Sequence, residues 1–397
     1  MKLKLLAGTI AIICSSIPAH AEVRINGFAS VIGGMALDKN TELFGYSDEL
    51  SFENESLFAL QISADLQDNL SATAQIVAKG ENDYNAEFEW AYLTYQINDH
   101  TQVSAGRMRV PFYRYSDFLD VGYAYRWIRP PKSVYNLAFS TYEGVSFVYN
   151  SQLGSWDSTL QLIGGAYSGD VATFTDNDPA KLNAITGINW TLAYDWLSLR
   201  AAYLIAETSI SAQNSPEFTG LIAGLNSYGL TTKTDDLLIE KDDGSFLGIG
   251  FSIDYENFLL DGEYTELEVK DSFVAPQKQF YLAAGYRIDN WLIHMTYESR
   301  DVEHKKSKFN TIPTTFVHPV YGTLPLSTDP TNPNAPLLRD LTNAAIAGTT
   351  IDSSSYSFGV RYDFHPSAAF KVDYTVVDNA ITNKDSDVIA FGVDLVF

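Results

Sequence analysis

From residue 23 onward apolar and polar side chains alternate with a period of two almost throughout, and helical periodicity is hard to find. The alternation predicts strands at 23–37, 56–66, 70–79, 87–97, 101–108, 144–150, 156–167, 184–194 and 197–206. It resumes at 245–255, 258–269, 278–288, 291–301, 353–364, 368–378 and 387–397, which makes sixteen. Every even-numbered link is short: 67–69, 98–100, 151–155, 195–196, 256–257, 289–290 and 365–367, rich in Asn, Asp and Gly as tight hairpins require. Every long segment is an odd-numbered link: 38–55, 109–143, 168–183, 207–244 and 302–352. Short and long links in strict alternation describe an up-and-down antiparallel sheet with one trimmed end and one elaborated end. Greek-key sandwiches have no reason to sort their loops this way, whereas outer-membrane barrels do.

The faces fit a barrel. In 353–364, Tyr356, Phe358, Val360, Tyr362 and Phe364 share one side, against Ser355, Ser357, Gly359, Arg361 and Asp363. Alternation by itself does not say which side is outside. The aromatic positions do, because Tyr194, Trp196, Tyr255, Phe258, Trp291, Tyr362 and Phe364 sit beside the short turns, where a membrane-interface girdle belongs. The expected fold is therefore an all-β transmembrane barrel of sixteen strands, or eighteen if 207–244 and 302–352 hide a further pair.

Composition narrows the function classes. An aromatic content of 13% excludes a disordered acidic chain, and a formal charge of −23 excludes a generic nucleic-acid binder. A single Cys excludes a disulfide framework and a thiolate metal cluster. Lys2 and Lys4, an apolar run to Ile17 and Ala19-His20-Ala21 predict a secretory signal peptide over 1–21, leaving 22–397 as the barrel domain. Its removal takes away Cys14 and moves the charge from −23 to −25. Beyond the leader no stretch approaches 18 uninterrupted apolar residues, which leaves a closed barrel as the spanning solution.

The chain ends carry a resemblance. Ile389, Phe391, Val393, Leu395 and the terminal Phe397 alternate in a way that resembles the C-terminal assembly signal of Gram-negative outer-membrane proteins. Val23 to Gly34 resembles the first strand of the trimeric porins. Gly106-Arg107-Met108-Arg109 with Pro111 is similar to the stretch with which porins leave strand five for the third loop. On these residues the chain resembles the sixteen-stranded general porins. The resemblance implies a third loop folded into the lumen as an eyelet and a water-filled channel for passive diffusion of ions and small hydrophilic solutes. It also implies a homotrimer in the outer membrane, contact with lipid and lipopolysaccharide, insertion by the barrel-assembly machinery, and no cofactor. Two departures bear on the trimer: the second loop, 80–86, is short for a latch, and the seventh, 302–352, is long and Pro-rich.

The candidate pore chemistry lies in the third link, 110–141. Arg114, Arg126, Arg129 and Lys132 outnumber Asp117 and Asp120, with Arg107 and Arg109 at the entrance, so a basic constriction is expected in an acidic protein. These cations either attract anions or pair with acids and pin the loop; the sequence leaves both open. Arg200, Arg287, Arg361 and Lys371 are expected on the lumenal face as a basic ladder, with Asp261 and Glu263 among the facing acids. Seven aromatic residues between Phe112 and Trp127 keep a substrate-selective porin for phosphate, carboxylates or sugars as an alternative. An enzyme is disfavoured because no His neighbours a nucleophile motif, and an adhesin is favoured only by the long loops. No metal site is expected, since Lys241 to Ser245 lacks calcium-loop spacing.

Overall fold

The computed structural model of the chain describes residues 22–397 apart from 174, 176, 303–308, 333, 348–350 and 382–383. The expected leader lies outside the described residues. Sixteen antiparallel strands close into one barrel. In order they are β1 (Val23–Ala36), β2 (Leu57–Gln67), β3 (Leu70–Lys79), β4 (Ala86–Asn98), β5 (Thr101–Arg109), β6 (Thr141–Leu153), β7 (Trp156–Val171) and β8 (Asp178–Tyr194). Then come β9 (Leu197–Ile210), β10 (Ile239–Tyr255), β11 (Phe258–Val269), β12 (Gln277–Ile288) and β13 (Trp291–Val302). A hairpin, β14 (Thr315–His318) with β15 (Gly322–Pro325), precedes β16 (Asp352–His365), β17 (Ala368–Asn379) and β18 (Lys384–Val396). The hairpin pairs only with itself and β13 pairs directly with β16, which corrects the eighteen-strand alternative.

Apart from the β13–β16 step, each barrel strand pairs with its sequence neighbours, and β18 closes on β1 with Phe28 opposite Val396. Phe397 extends the closure, exchanging both backbone hydrogen bonds with Gly27 at 2.7 and 2.9 Å. Its ring lies where a side chain at 27 would stand, so any larger residue there would have to displace the terminal ring.

Five strands run four or more residues longer than the alternation indicates: β7 continues to Val171, β8 begins at Asp178, β9 continues to Ile210, β10 begins at Ile239 and β6 spans Thr141–Leu153. Register shifts between Gly165 and Tyr167 and between Asn183 and Thr186 explain the first two. A bulge inserts one residue and inverts the face parity, so a period-two reading stops at it.

The outward face is apolar and ringed by aromatics. Trp196, Tyr255, Phe258, Trp291 and Phe364 are exposed beside the short turns, and Trp291 stacks on Tyr362 with centroids 4.3 Å apart. The elaborated end carries what the pattern did not give, three helices among the described residues: α1 (Pro216–Ser227), α2 (Thr231–Asp235) and α3 (Leu338–Ala347). The Ser215 hydroxyl accepts a hydrogen bond from the Phe218 N–H, and Pro216 and Glu217 follow it in the first turn. That sequence is a helix-start signal. Phe218, Leu225, Leu237, Phe309, Ile312 and Leu338 join loops five and seven in one buried cluster.

Gly106 has φ +140, and a Cβ there would stand 2.4 Å from the Ala91 carbonyl oxygen. Backbone strain alone costs about 1–3 kcal/mol for a residue with a side chain, before the overlap. Gly106→Val is expected to abolish assembly, read as loss of the heat-sensitive folded band in gel electrophoresis.

Candidate functional site: a loop clamped across the lumen

At the end of β5 the chain turns inward, and Val110 N–H donates to the Ser140 carbonyl 2.8 Å away, closing the neck of a loop that occupies the lumen. Two single 3-10 turns, Ser116–Phe118 and Gly122–Ala124, fold it back on itself. One side of the loop is apolar. Phe112, Tyr113, Tyr115, Trp127 and Tyr135 pack with Ile163, Leu204, Phe246 and Tyr281 of the β7–β12 wall in one buried cluster. Phe112 meets Phe246 at 4.8 Å between centroids, and Trp127 meets Tyr281 at 5.9 Å. Five of the seven aromatics between Phe112 and Trp127 are thus buried, and they are not an open aromatic slide.

The other side of the loop is held by charge. Arg109 pairs with Glu89 at 3.0 Å and, more closely, with Asp120, which also takes Lys79 at 3.0 Å. Arg126 pairs with Asp261, and Arg129 with Glu55 of the first loop. Wall acids also accept loop N–H groups: Glu263 from Arg114 at 3.0 Å, Asp373 from Ile128 at 2.7 Å and Glu298 from Ser133 at 2.8 Å. Trp127 Nε1–H donates to Thr296 Oγ1 at 2.8 Å.

The inward basic residues of the wall do the reciprocal job. Arg200 donates to the carbonyls of Pro111 and Phe112 at 2.5 and 3.0 Å and lies 3.5 Å from Glu263. Arg361 donates to the carbonyls of Tyr123 and Tyr125 at 2.7 and 2.8 Å. Lys371, fully buried, donates to Gly122 and Trp127 carbonyls at 2.7 Å each and pairs with Asp394 at 2.8 Å. Tyr123 Oη–H reaches the Pro366 carbonyl at 2.9 Å, in the short turn between β16 and β17. Side chains from β3, β4, β9, β11, β13, β16 and β17 therefore tie the loop across the barrel, and one edge of it descends to the short-turn end.

The sequence-expected residues sort accordingly. Arg109 at the end of β5 and Asp120, Arg126 and Arg129 in the loop are consumed by ion pairs. Arg200, Arg361, Lys371, Asp261 and Glu263 face inward as expected, yet they are covered or capped by the loop, so the basic ladder is a set of anchors. Arg287 pairs with Asp254 at 2.6 Å, well exposed, a pair of small energetic weight. Arg107 is a correction. It follows the outward residue Ala105, stands opposite Glu143 and is exposed, so it lies on the outer face of the barrel. The irregular backbone at Gly106 and the turn into the loop separate its face from that of Arg109.

Three charged groups of the loop form no ion pair among the described residues: Asp117 and Lys132 are exposed, and Arg114 is half-buried with its Nη1 enclosed. Lys132 is nonetheless held below the usual lysine range, first by the enclosing protein and then by Arg129. Asp120 is the reverse case. Burial pushes its carboxyl up, but Lys79 and Arg109 outweigh it and hold it at about 2. Lys79, Glu89 and Glu55 escaped the sequence reading; the inward parity of Lys79 on β3 was the only signal, since Glu55 lies in a loop and Glu89 at a bulge.

This geometry defines a transmembrane channel narrowed from within by its own third loop. The chain belongs to the Gram-negative porin family, whose model matches residues 8–382. It is an integral outer-membrane protein forming a channel for passive diffusion of solutes. Among solved structures it is similar to the outer membrane channel DcaP of Acinetobacter baumannii, at 12% identity and a TM-score of 0.57 over 96% of this chain and 99% of that one. It is also similar to Salmonella typhi OmpF in complex with daunomycin, at 13% identity and a TM-score of 0.55 over 96% and 99%. An anion-selective porin from Comamonas acidovorans gives 11% and 0.55 over 95% and 100%. At these identities the likeness is one of fold. A search of the curated proteins finds no match.

Proposed function

We propose that residues 22–397, exported by the leader at 1–21, form a size-selecting diffusion channel whose constriction is the third loop and whose charge preference is small and anionic. The observation that supports this reading is the fate of the loop cations. Arg109, Arg126 and Arg129 are neutralised in buried pairs, so only Arg114 and Lys132 remain against Asp117. A constriction with one uncompensated positive charge favours anions weakly. The reading is of a non-catalytic channel: His294, the one buried histidine among the described residues, lies 3.4 Å from Asp373, a carboxylate that already accepts the Ile128 N–H.

Reversal potentials across a planar bilayer test it. The wild type is expected to pass chloride modestly faster than potassium, and Arg114→Glu with Lys132→Glu to reverse the sign. A strong cation preference untouched by the double change sinks the proposal.

The same recordings address assembly. We propose a homotrimer joined through the β2–β5 face, where Ala64, Ala72, Ala74, Ala91 and Ala105 line a shallow recess of about 380 Å³ on the outer surface. The aromatic pairs that stud the exterior from β7 to β17 are missing from that recess, and small side chains let another wall approach closely. Closure in three equal steps is the expected signature. Insertion by the barrel-assembly machinery through Ile389, Phe391, Val393, Leu395 and Phe397 and contact with lipopolysaccharide at the outer rim complete the proposal. The outward alternation of that final strand supports the former.

A further inference from the structure

Above the clamped loop the lumen is not uniformly wet. A cavity of about 390 Å³ lies between the returning limb of the third loop, 136–139, and the β7–β11 wall, bounded toward the elaborated end by Ile239, Val269 and Val274. Its surface is mainly hydrocarbon, from Phe139, Leu182, Ile185, Leu204, Phe246 and Leu267. A diffusion channel for hydrophilic solutes has no use for such a surface. Apolar wall held open to water is unfavourable by roughly 25 cal/mol per Å² relative to wall that is covered. The volume is at the small end of the range for sites that take small organic molecules, which are themselves mostly apolar with a few placed polar groups.

The placed polar groups are Arg300 and Gln277. Arg300 is the only ionisable residue among the described residues that line the cavity, in a chain with 49 acidic side chains. The inward strand arginines Arg200, Arg287 and Arg361 each have a carboxylate within ion-pair distance. Among the described residues Arg300 instead has one neutral hydrogen-bond partner: its Nη2–H donates to Gln277 Oε1 at 2.9 Å, while its Nε–H is buried and without a partner. A guanidinium enclosed without a counter-charge is costly, and its planar fork matches a carboxylate in two-point contact.

We propose that this cavity binds monocarboxylates with an apolar body, the carboxylate on Arg300 and the hydrocarbon against the β7–β11 wall. The proposal rests on the channel reading and gives the channel a solute class. It places a weak, saturable site on the path just outside the constriction, so that such acids are concentrated at the third loop before they pass it.

Octanoate is the probe, with acetate and 1-octanol as controls that carry the head or the body alone. In single-channel recordings octanoate added from the side of the long loops is expected to give resolved current blockades. Acetate and 1-octanol at equal concentration are not. Arg300→Gln is expected to weaken the blockade roughly tenfold, about 1.4 kcal/mol, with open-channel conductance retained. Ala206→Phe, which fills the cavity from β9, is expected to remove it. Equal blockade by octanoate and 1-octanol, or an Arg300→Gln protein blocked as strongly as the wild type, overturns the site while leaving the channel reading intact. Absence of conductance sinks the channel reading instead. Calorimetric titration of detergent-solubilised protein with octanoate, wild type against Arg300→Gln, then decides the site without any current, and equal heats overturn it.

Discussion

Replacing Asp120 with alanine is expected to raise single-channel conductance and open-channel noise together. Asp120 is buried and holds both Lys79 and Arg109, one from β3 and the other from the entrance to the loop. Its removal strands Lys79 and leaves Arg109 with Glu89 alone. Breaking a buried pair by removing one partner costs about 3–5 kcal/mol, because the remaining charge stays desolvated. Sixteen antiparallel strand pairings close the barrel and Asp120 takes part in none of them, so the penalty falls on the loop rather than on the wall. Acid should reproduce the effect in the unaltered protein. A carboxyl held low contributes stability that is fully present above the ordinary carboxylate value and is lost as pH falls through its folded value, here about 2. Conductance should therefore be steady down to about pH 4 and climb as the pH approaches 2. An Asp120→Ala channel with wild-type conductance and noise would show that the clamp does not set the opening.

Trp127→Ala is expected to loosen the same loop from its opposite side. The indole is buried among Tyr115, Tyr125 and Tyr281 and bonds Thr296. Its truncation costs about 3–5 kcal/mol in packing and leaves the Thr296 hydroxyl without that donor. No charge changes, so conductance should rise with the reversal potential unaltered, whereas Asp120→Ala shifts both. A double variant separates the two clamps: independent ties give additive changes, and a loop that moves as one body does not. Folded-band stability in gel electrophoresis should remain near the wild type in both variants; collapse of the barrel itself would refute the assignment of these residues to the loop.

The contrast between these two variants reflects a correction to the aromatic pattern. The girdle residues Trp196, Tyr255, Phe258 and Trp291 stand at the lipid interface as their strand-end positions indicated. Phe112, Tyr113, Tyr115 and Trp127 do not, for they fill the lumen against an apolar inner wall. Period-two reading classifies a side chain as inward or outward, but it cannot tell an inward surface that meets water from one that meets a loop. For the same reason the two readings of the loop cations stayed open in sequence. Arg126 and Asp261 are 135 residues apart, and only closure of the barrel brings them together. The helices of loops five and seven were partly legible, since Ser215-Pro216-Glu217 starts α1, but α3 has no such start.

The sequence by itself determined the sixteen strand segments, the sorting of short and long links and the outward face, because each follows from hairpin chemistry and side-chain alternation within about fifteen neighbouring residues; that no further pair joins the barrel and that Phe397 closes it came from the structure. Only the tertiary structure decided what the third loop does with its charge. Ion pairing depends on distances across the lumen between strands remote in sequence, and no local pattern encodes them. The cations that looked like an eyelet for anions are mostly the rivets of a plate, and the charge left to meet a solute is carried by Arg114, Asp117 and Lys132.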